Sequence, residues 1–226
     1  MVPKKRIGEI DFLRGIAIIL MITFHLLYDL KEFCGWEFIN YKKGPVFFIG
    51  KTSALMFITI TAISCSLSRN NIKRGLKILF FALIITVVTY FYDPKNYINF
   101  GILHFLGISV LLFPFFNRFP SYLLAFLAIL SIILGNLFAD LNLSHNYLLA
   151  FRLTSSTYQS LDYYPLFPYL GAFLGGMILK RIFYPKNKSL VKINLENNFI
   201  SFLGRHSLVI YLIHQPIFLL IIEILT

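Results

Sequence analysis

"DFLRGIAIILMITFHLLYD", residues 11–29, decides how the rest of the chain is read. It is apolar enough to lie in a membrane, yet it holds an arginine, a histidine and two aspartates. An ionisable side chain in hydrocarbon is costly unless it is paired or faces protein or water, so such residues are functional candidates by default. On an α-helix turning about 100° per residue, Arg14 and His25 stand about three turns and about 20° apart, with Asp11 and Asp29 one turn beyond them. All four therefore share one face.

The surrounding composition agrees with a membrane segment. Of 226 residues, 58% are hydrophobic and 14% charged, and the apolar residues come in long blocks rather than the short alternations of a soluble core. The spacing of these blocks predicts an all-α polytopic membrane bundle of about seven helices, at 12–31, 46–68, 75–92, 100–116, 119–138, 164–183 and 206–225. Short loops between them make residues 1–226 a single integral-membrane domain. The fourth block is short, and 140–162 has room for a half-helix or an interfacial helix. The first block has no small-residue cleavage site after its basic start and reads as a retained span.

The net charge of +11 could point to nucleic acid, but the basic residues cluster between apolar blocks and form no nucleic-acid motif, so that partner is discounted. They follow the positive-inside rule instead. With the amino terminus cytoplasmic, the inner segments hold Lys4, Lys5, Arg6, Arg69, Lys73, Arg74, Lys77, Arg118, Lys180, Arg181, Lys186, Lys188, Lys192 and Arg205. The outer segments hold Lys31, Lys42, Lys43, Lys95 and Arg152. The expected location is the cell membrane, with lipid as the surrounding partner and the carboxyl terminus outside. A homo-oligomer is compatible with this pattern.

Cys34 and Cys65 fall near opposite ends of the first hairpin, which argues against a disulfide, and two cysteines make no metal cluster. No metal site is expected. The longest outer segment, 139–163, is rich in Ser, Thr, Asn and Tyr, and suits either a surface connection or the binding of a polar acceptor. Asn142-Leu143-Ser144 within it matches a glycosylation sequon.

His25 lies about 20 Å from the inner end of its span, past the middle of a ~30 Å core. Asp29, one turn further, is placed to accept from its imidazole and fix the tautomer, leaving the other nitrogen as a general base. The alternative is an interhelical hydrogen bond that only holds the bundle together. Arg14 can snorkel or pair with Asp11. Yet eleven residues put it about 16 Å from His25 along the axis, comparable to the pantetheine arm of coenzyme A, so one cofactor fits an arginine at its phosphates and a histidine at its thioester.

Other polar residues interrupt the apolar blocks. Lys51, followed by Thr52 and Ser53, reads as a snorkelling lysine. His104 in "GILHFLG" suits a structural hydrogen bond as well as a substrate contact. In "GRHSLVIYLIHQPIFLL", Arg205 and His206 mark the inner interface and His214 lies about 13 Å deeper, flanked by Tyr211 and Gln215. His214 is expected to cap carbonyls freed by Pro216. Arg205 can add charge at a phosphate site, although the positive-inside rule explains it too.

"DFLRGIAIILMITFH" resembles the first-helix signature of the transmembrane acyltransferase superfamily, an Arg-Gly pair with a histidine downstream, here Arg14, Gly15 and His25. "FHLLYDL", "GILHFLG", "DYYPLFPYLG" and "LGRHSLVIYLIHQPI" resemble more narrowly the prokaryotic branch related to the heparan-α-glucosaminide N-acetyltransferase catalytic domain. The resemblance implies transfer of an acyl group, commonly acetyl, from cytoplasmic acyl-coenzyme A to an acceptor, often a carbohydrate, on the far side of the membrane. It carries the family's first-helix residues to Arg14 and His25, and extends to His104, Asp162, Arg205 and His214 as site or scaffold. Arg152 in the outer segment joins them as a substrate or scaffold candidate. A competing class is a small carrier or lipid translocase whose buried His and Asp relay protons or bind a polar solute.

Overall fold

A computed structural model describes residues 7–191, 193 and 195–225 of the chain. Lys4, Lys5, Arg6 and Lys192, used above for orientation, lie outside the described residues. The described residues form α1 (Gly8–Cys34), α2 (Gly44–Cys65), α3 (Asn71–Tyr92), α4 (Ile102–Phe116), α5 (Ser121–Ala139), α6 (Leu166–Phe183), α7 (Phe199–Arg205) and α8 (Ser207–Leu225). Among them there is no strand, only isolated bridges such as Phe100 with Tyr163.

Six of these helices, all but α4 and α7, are long and apolar enough to cross a membrane. With α4 they coincide with the seven predicted blocks, and most ends move by only a few residues. At 15 residues, α4 is about 22 Å long, short of a ~30 Å hydrocarbon core. The space between α5 and α6, which has room for a half-helix or an interfacial helix, holds one three-residue 3₁₀ turn, Leu149–Phe151, among the described residues. An extra short helix, α7, lies within what reads from sequence as an inner loop.

Local chemistry sets the ends. The α1 helix stops at Gly35, in the left-handed region at φ 70°, whose N–H reaches the Leu30 carbonyl, the conformation that glycine adopts without a Cβ penalty. Asn70 and Asn198 cap α3 and α7 by accepting from the N–H groups of Lys73 and Ser201, each at 2.9 Å. Pro120 and Pro165 stand just before α5 and α6.

The chain divides into two compact units, Met1–Ile60 with Lys186–Thr226, and Thr61–Pro185. In the first, α1 packs against α7 and α8 and buries Ala17, Ile18 and Met21. The buried Ser53 of α2 donates to the Ala17 carbonyl at 2.9 Å. In the second unit α3 pairs with α4 and α5 with α6, around Phe105, Leu124, Phe173 and Leu174. Small residues set these approaches: a Cβ on Gly135 would meet Pro168, and one on Gly107 would meet Leu79. The outward faces remain apolar, as Phe80, Leu83, Val87 and Phe91 of α3 illustrate, and such a surface suits lipid.

Candidate functional site

Five of the eight residues singled out from sequence fall in the first unit, along α1 and its two partners. At one end α7 crosses α1 at unusually short range. A Cβ on Gly15 would lie 1.9 Å from the Ile200 carbonyl oxygen, and one on Gly204 would lie 1.8 Å from that of Asp11. Only glycine fits either position.

Those two glycines adjoin two arginines in the chain, Arg14 on α1 and Arg205 at the end of α7. Arg14 donates from Nη1 to Asp11 Oδ1 at 2.8 Å and to the Gly204 carbonyl at 3.5 Å. Arg205, the last residue of α7, donates from Nη1 to the Glu196 carbonyl at 2.6 Å. Glu9, buried in the first turn of α1, accepts from the Ser189 hydroxyl and from the Leu190 N–H. That carboxylate ties the segment leading to α7 onto the start of α1. The pairing of Arg14 with Asp11 expected from their spacing is present, and a phosphate arriving here would compete with Asp11 for the guanidinium.

Further along α1 the polar residues meet α8. The His25 ring lies edge-on to His214, with centroids 4.9 Å apart and planes at 61°, and edge-on to Phe24 at 5.5 Å. Asp29 is completely buried. Its two carboxylate oxygens accept from Gln215 Nε2 at 2.9 and 3.0 Å. The expected hydrogen bond from His25 to Asp29 is therefore replaced by one from α8. Helical side chains lean toward the amino terminus, and that lean carries the His25 ring away from Asp29.

His214 also differs from expectation. Its Nδ1 donates to the Tyr211 carbonyl at 2.7 Å, one residue before the Leu212 carbonyl that Pro216 leaves without its helical N–H. Nε2 is buried with no hydrogen-bond partner among the described residues, and so is Oε1 of Gln215.

The other three candidates belong to the second unit. His104 Nδ1 accepts from the Gly101 N–H at 3.3 Å, and Nε2 faces Thr86 Oγ1 at 3.2 Å. Because Nδ1 accepts, Nε2 carries the proton. Thr86 in turn donates to the Ile98 carbonyl at 2.7 Å. Asp162 accepts from the Ile102 N–H at 2.8 Å, placing a carboxylate on the positive end of α4. Both residues hold the start of α4. Arg152 follows the 3₁₀ turn at φ 73°. Near it the Tyr163 hydroxyl, pushed up first by burial and then by Tyr158, with Arg152 opposing, donates to the Leu149 carbonyl at 2.6 Å.

Sequence reasoning missed the roles of Gln215, Gly204 and Glu9. Gln215 was visible only as a flank of His214, because the register of two helices distant in sequence is not written in either one. Glycine at 15 and 204, each adjoining an arginine, was the one legible signal of the close crossing. Among the described residues no three His, Cys, Asp or Glu side chains are grouped to hold a metal ion.

Arg14 thus stands at the α1–α7 crossing near one end of a membrane-length helix, and a His, His, Asp and Gln cluster lies toward the other. No curated protein and no solved structure matches the chain. Residues 6–216 match the family described as heparan-alpha-glucosaminide N-acetyltransferase, catalytic, a span that contains every site residue named above, and the chain belongs to that family.

Proposed function

We propose that the chain transfers an acyl group, acetyl in the first instance, from cytoplasmic acyl-coenzyme A to a hydroxyl or amine of a carbohydrate-like acceptor on the other side of the membrane. The observation that carries this reading is the family match over residues 6–216, with Arg14 and His25 inside it.

Arg14 and Arg205 bind the donor phosphates at the crossing of α1 and α7, where a guanidinium fork matches phosphate oxygens. The donor arm then follows α1 for about 16 Å, eleven residues at 1.5 Å each, and brings its thioester to His25. There His25 removes a proton from the acceptor as the new bond forms to the acyl carbon and the C–S bond breaks, and the departing sulfur takes that proton back from the histidine to leave as coenzyme A. Asp29 and Gln215 keep α8 against α1. His104 and Asp162 serve as scaffold for α4 in this reading, since their polar atoms are engaged by α3 and by the start of α4 itself.

Purified protein in sealed vesicles tests this, with [¹⁴C]acetyl-coenzyme A outside or inside and glucosamine or glucose as acceptor probes on the opposite side. Label should move to a probe or to the protein only when the donor faces the Arg14 end. A folded protein that neither binds acetyl-coenzyme A nor moves label from either side would overturn the proposal.

A further inference from the structure

His214 is 7% exposed, and its two ring nitrogens are in opposite situations. Nδ1 lies against the Tyr211 carbonyl. A carbonyl only accepts, so Nδ1 carries the proton and the neutral ring keeps its lone pair on Nε2. That lone pair is buried and meets no donor among the described residues. Buried polar atoms are normally satisfied, and one that is not calls for a use.

The group beside it is His25, ring centre to ring centre 4.9 Å. Asp29 acts from the other side. By holding Gln215, the residue after His214, with two bonds, it fixes the rotation and height of α8 and hence the aim of His214.

We propose that His25 and His214 work as one proton-transfer pair, His25 taking the acceptor's proton while passing its own N–H proton to His214 Nε2, with Asp29 a positioning residue that acts through Gln215. This rests on the acyl-transfer reading of the same site. The acceptor's O–H or N–H bond breaks and its proton bonds to one His25 nitrogen. The N–H on the other His25 nitrogen breaks and re-forms on His214 Nε2. His25 stays neutral in its alternate tautomer, and His214 becomes an imidazolium whose Nδ1–H remains on Tyr211. The acceptor's electron pair forms the bond to the acyl carbon as the thioester C–S bond breaks. The proton then returns through His25 to the coenzyme A sulfur, so only donor and acceptor are consumed. Positive charge develops one ring away from the substrate, next to the Gln215–Asp29 contact.

His214→Asn separates this role from a structural one. The asparagine Nδ2 stands where Nδ1 stands, so donation to Tyr211 is kept while Nε2 is deleted. We expect an unchanged melting temperature and acetyl-coenzyme A affinity, with turnover on the acceptor probe reduced about 100-fold or more, the scale of a lost base. An independent readout uses the full chain labelled with [¹⁵N]histidine in lipid nanodiscs. In the dead-end complex with coenzyme A and the acceptor probe, where the His25 N–H closes onto Nε2, a nitrogen–nitrogen coupling should join the two rings, disappear in His25→Ala and His214→Asn, and weaken in Gln215→Leu. Wild-type turnover in folded His214→Asn, or no coupling in that complex of the wild-type chain, would overturn the pair. A chain that shows the coupling and binds acetyl-coenzyme A but moves no acetyl would support the pair and overturn the acyl-transfer reading.

Discussion

Removing one side of the Asp29–Gln215 contact should cost more than removing both. Gln215→Leu keeps the side-chain bulk and takes away the only donor that reaches the fully buried Asp29 carboxylate among the bonds described. A buried acceptor left unmet costs about 1–3 kcal/mol, more when charged, whereas an interhelical hydrogen bond in a membrane protein averages about 0.6 kcal/mol. Gln215→Leu is therefore expected to lose roughly 2–3 kcal/mol. The double variant Asp29→Leu with Gln215→Leu removes donor and acceptor together and should lie within about 1 kcal/mol of wild type. Asp29→Asn adds a sharper expectation. Its carboxamide still accepts from Gln215 Nε2 and can also donate to Oε1 of Gln215, which is buried without a partner, so this variant should be at least as stable as wild type. Reversible unfolding in bicelles by sodium dodecyl sulfate measures these three variants and the single Asp29→Leu that completes the cycle. If the double variant loses the sum of the two single losses, the residues are not coupled and the contact does not hold α8 to α1.

Two further expectations concern the donor end and the topology. Arg14→Ala should weaken acetyl-coenzyme A binding by about 2–3 kcal/mol, the scale of a charge-assisted hydrogen bond in a dry site, and Arg14→Lys should restore only part of it; titration calorimetry on folded protein decides this. A membrane-impermeant thiol reagent applied to intact cells should label Asn142→Cys and spare Lys188→Cys, both exposed positions, and the opposite pattern would reverse the direction of transfer.

The fold was legible because each apolar block is a self-contained signal. Hydrocarbon forces every backbone group to be satisfied within its own helix, so a run of about 20 apolar residues specifies its element without reference to the rest of the chain. The exceptions follow the same logic. Seven residues of α7, "FISFLGR", are too few to register as a span, and the helix is held by an asparagine cap and by packing on α1. The polar cluster was legible in part. Arg14, His25, Asp29 and His214 announce themselves as ionisable residues in apolar runs, but the partner of each depends on which helix lies alongside. Asp29 was therefore matched with its neighbour in sequence, His25, when its neighbour in space is Gln215.

The proposed function gives the two ends of α1 different work, and this separation can be measured. Gly15 and Asp29 are fourteen residues apart, about 21 Å along the helix, and His25 lies between the glycine crossing and the carboxylate clasp. At the first end no side chain can be added without moving backbone: Gly204→Ala would put a Cβ 1.8 Å from the Asp11 carbonyl oxygen. Overpacking of this kind costs about 1–3 kcal/mol, and it pushes α7 off α1, drawing Gly204 and Arg205 away from Arg14. Donor binding should fall with stability. Gly175→Ala is the control, because nothing lies within 4 Å of its added Cβ. Gln215→Leu acts at the far end, loosening His214 from His25, and should slow transfer while leaving acetyl-coenzyme A affinity as it was. Sites this far apart with no shared partner add within about 0.5 kcal/mol, so the double variant Gly204→Ala with Gln215→Leu should show the sum of the stability losses and only the Gly204→Ala loss in affinity. If Gln215→Leu weakened donor binding as much as Gly204→Ala does, phosphate binding would not be confined to the α1–α7 crossing, and the alignment of the donor along α1 would have to be abandoned.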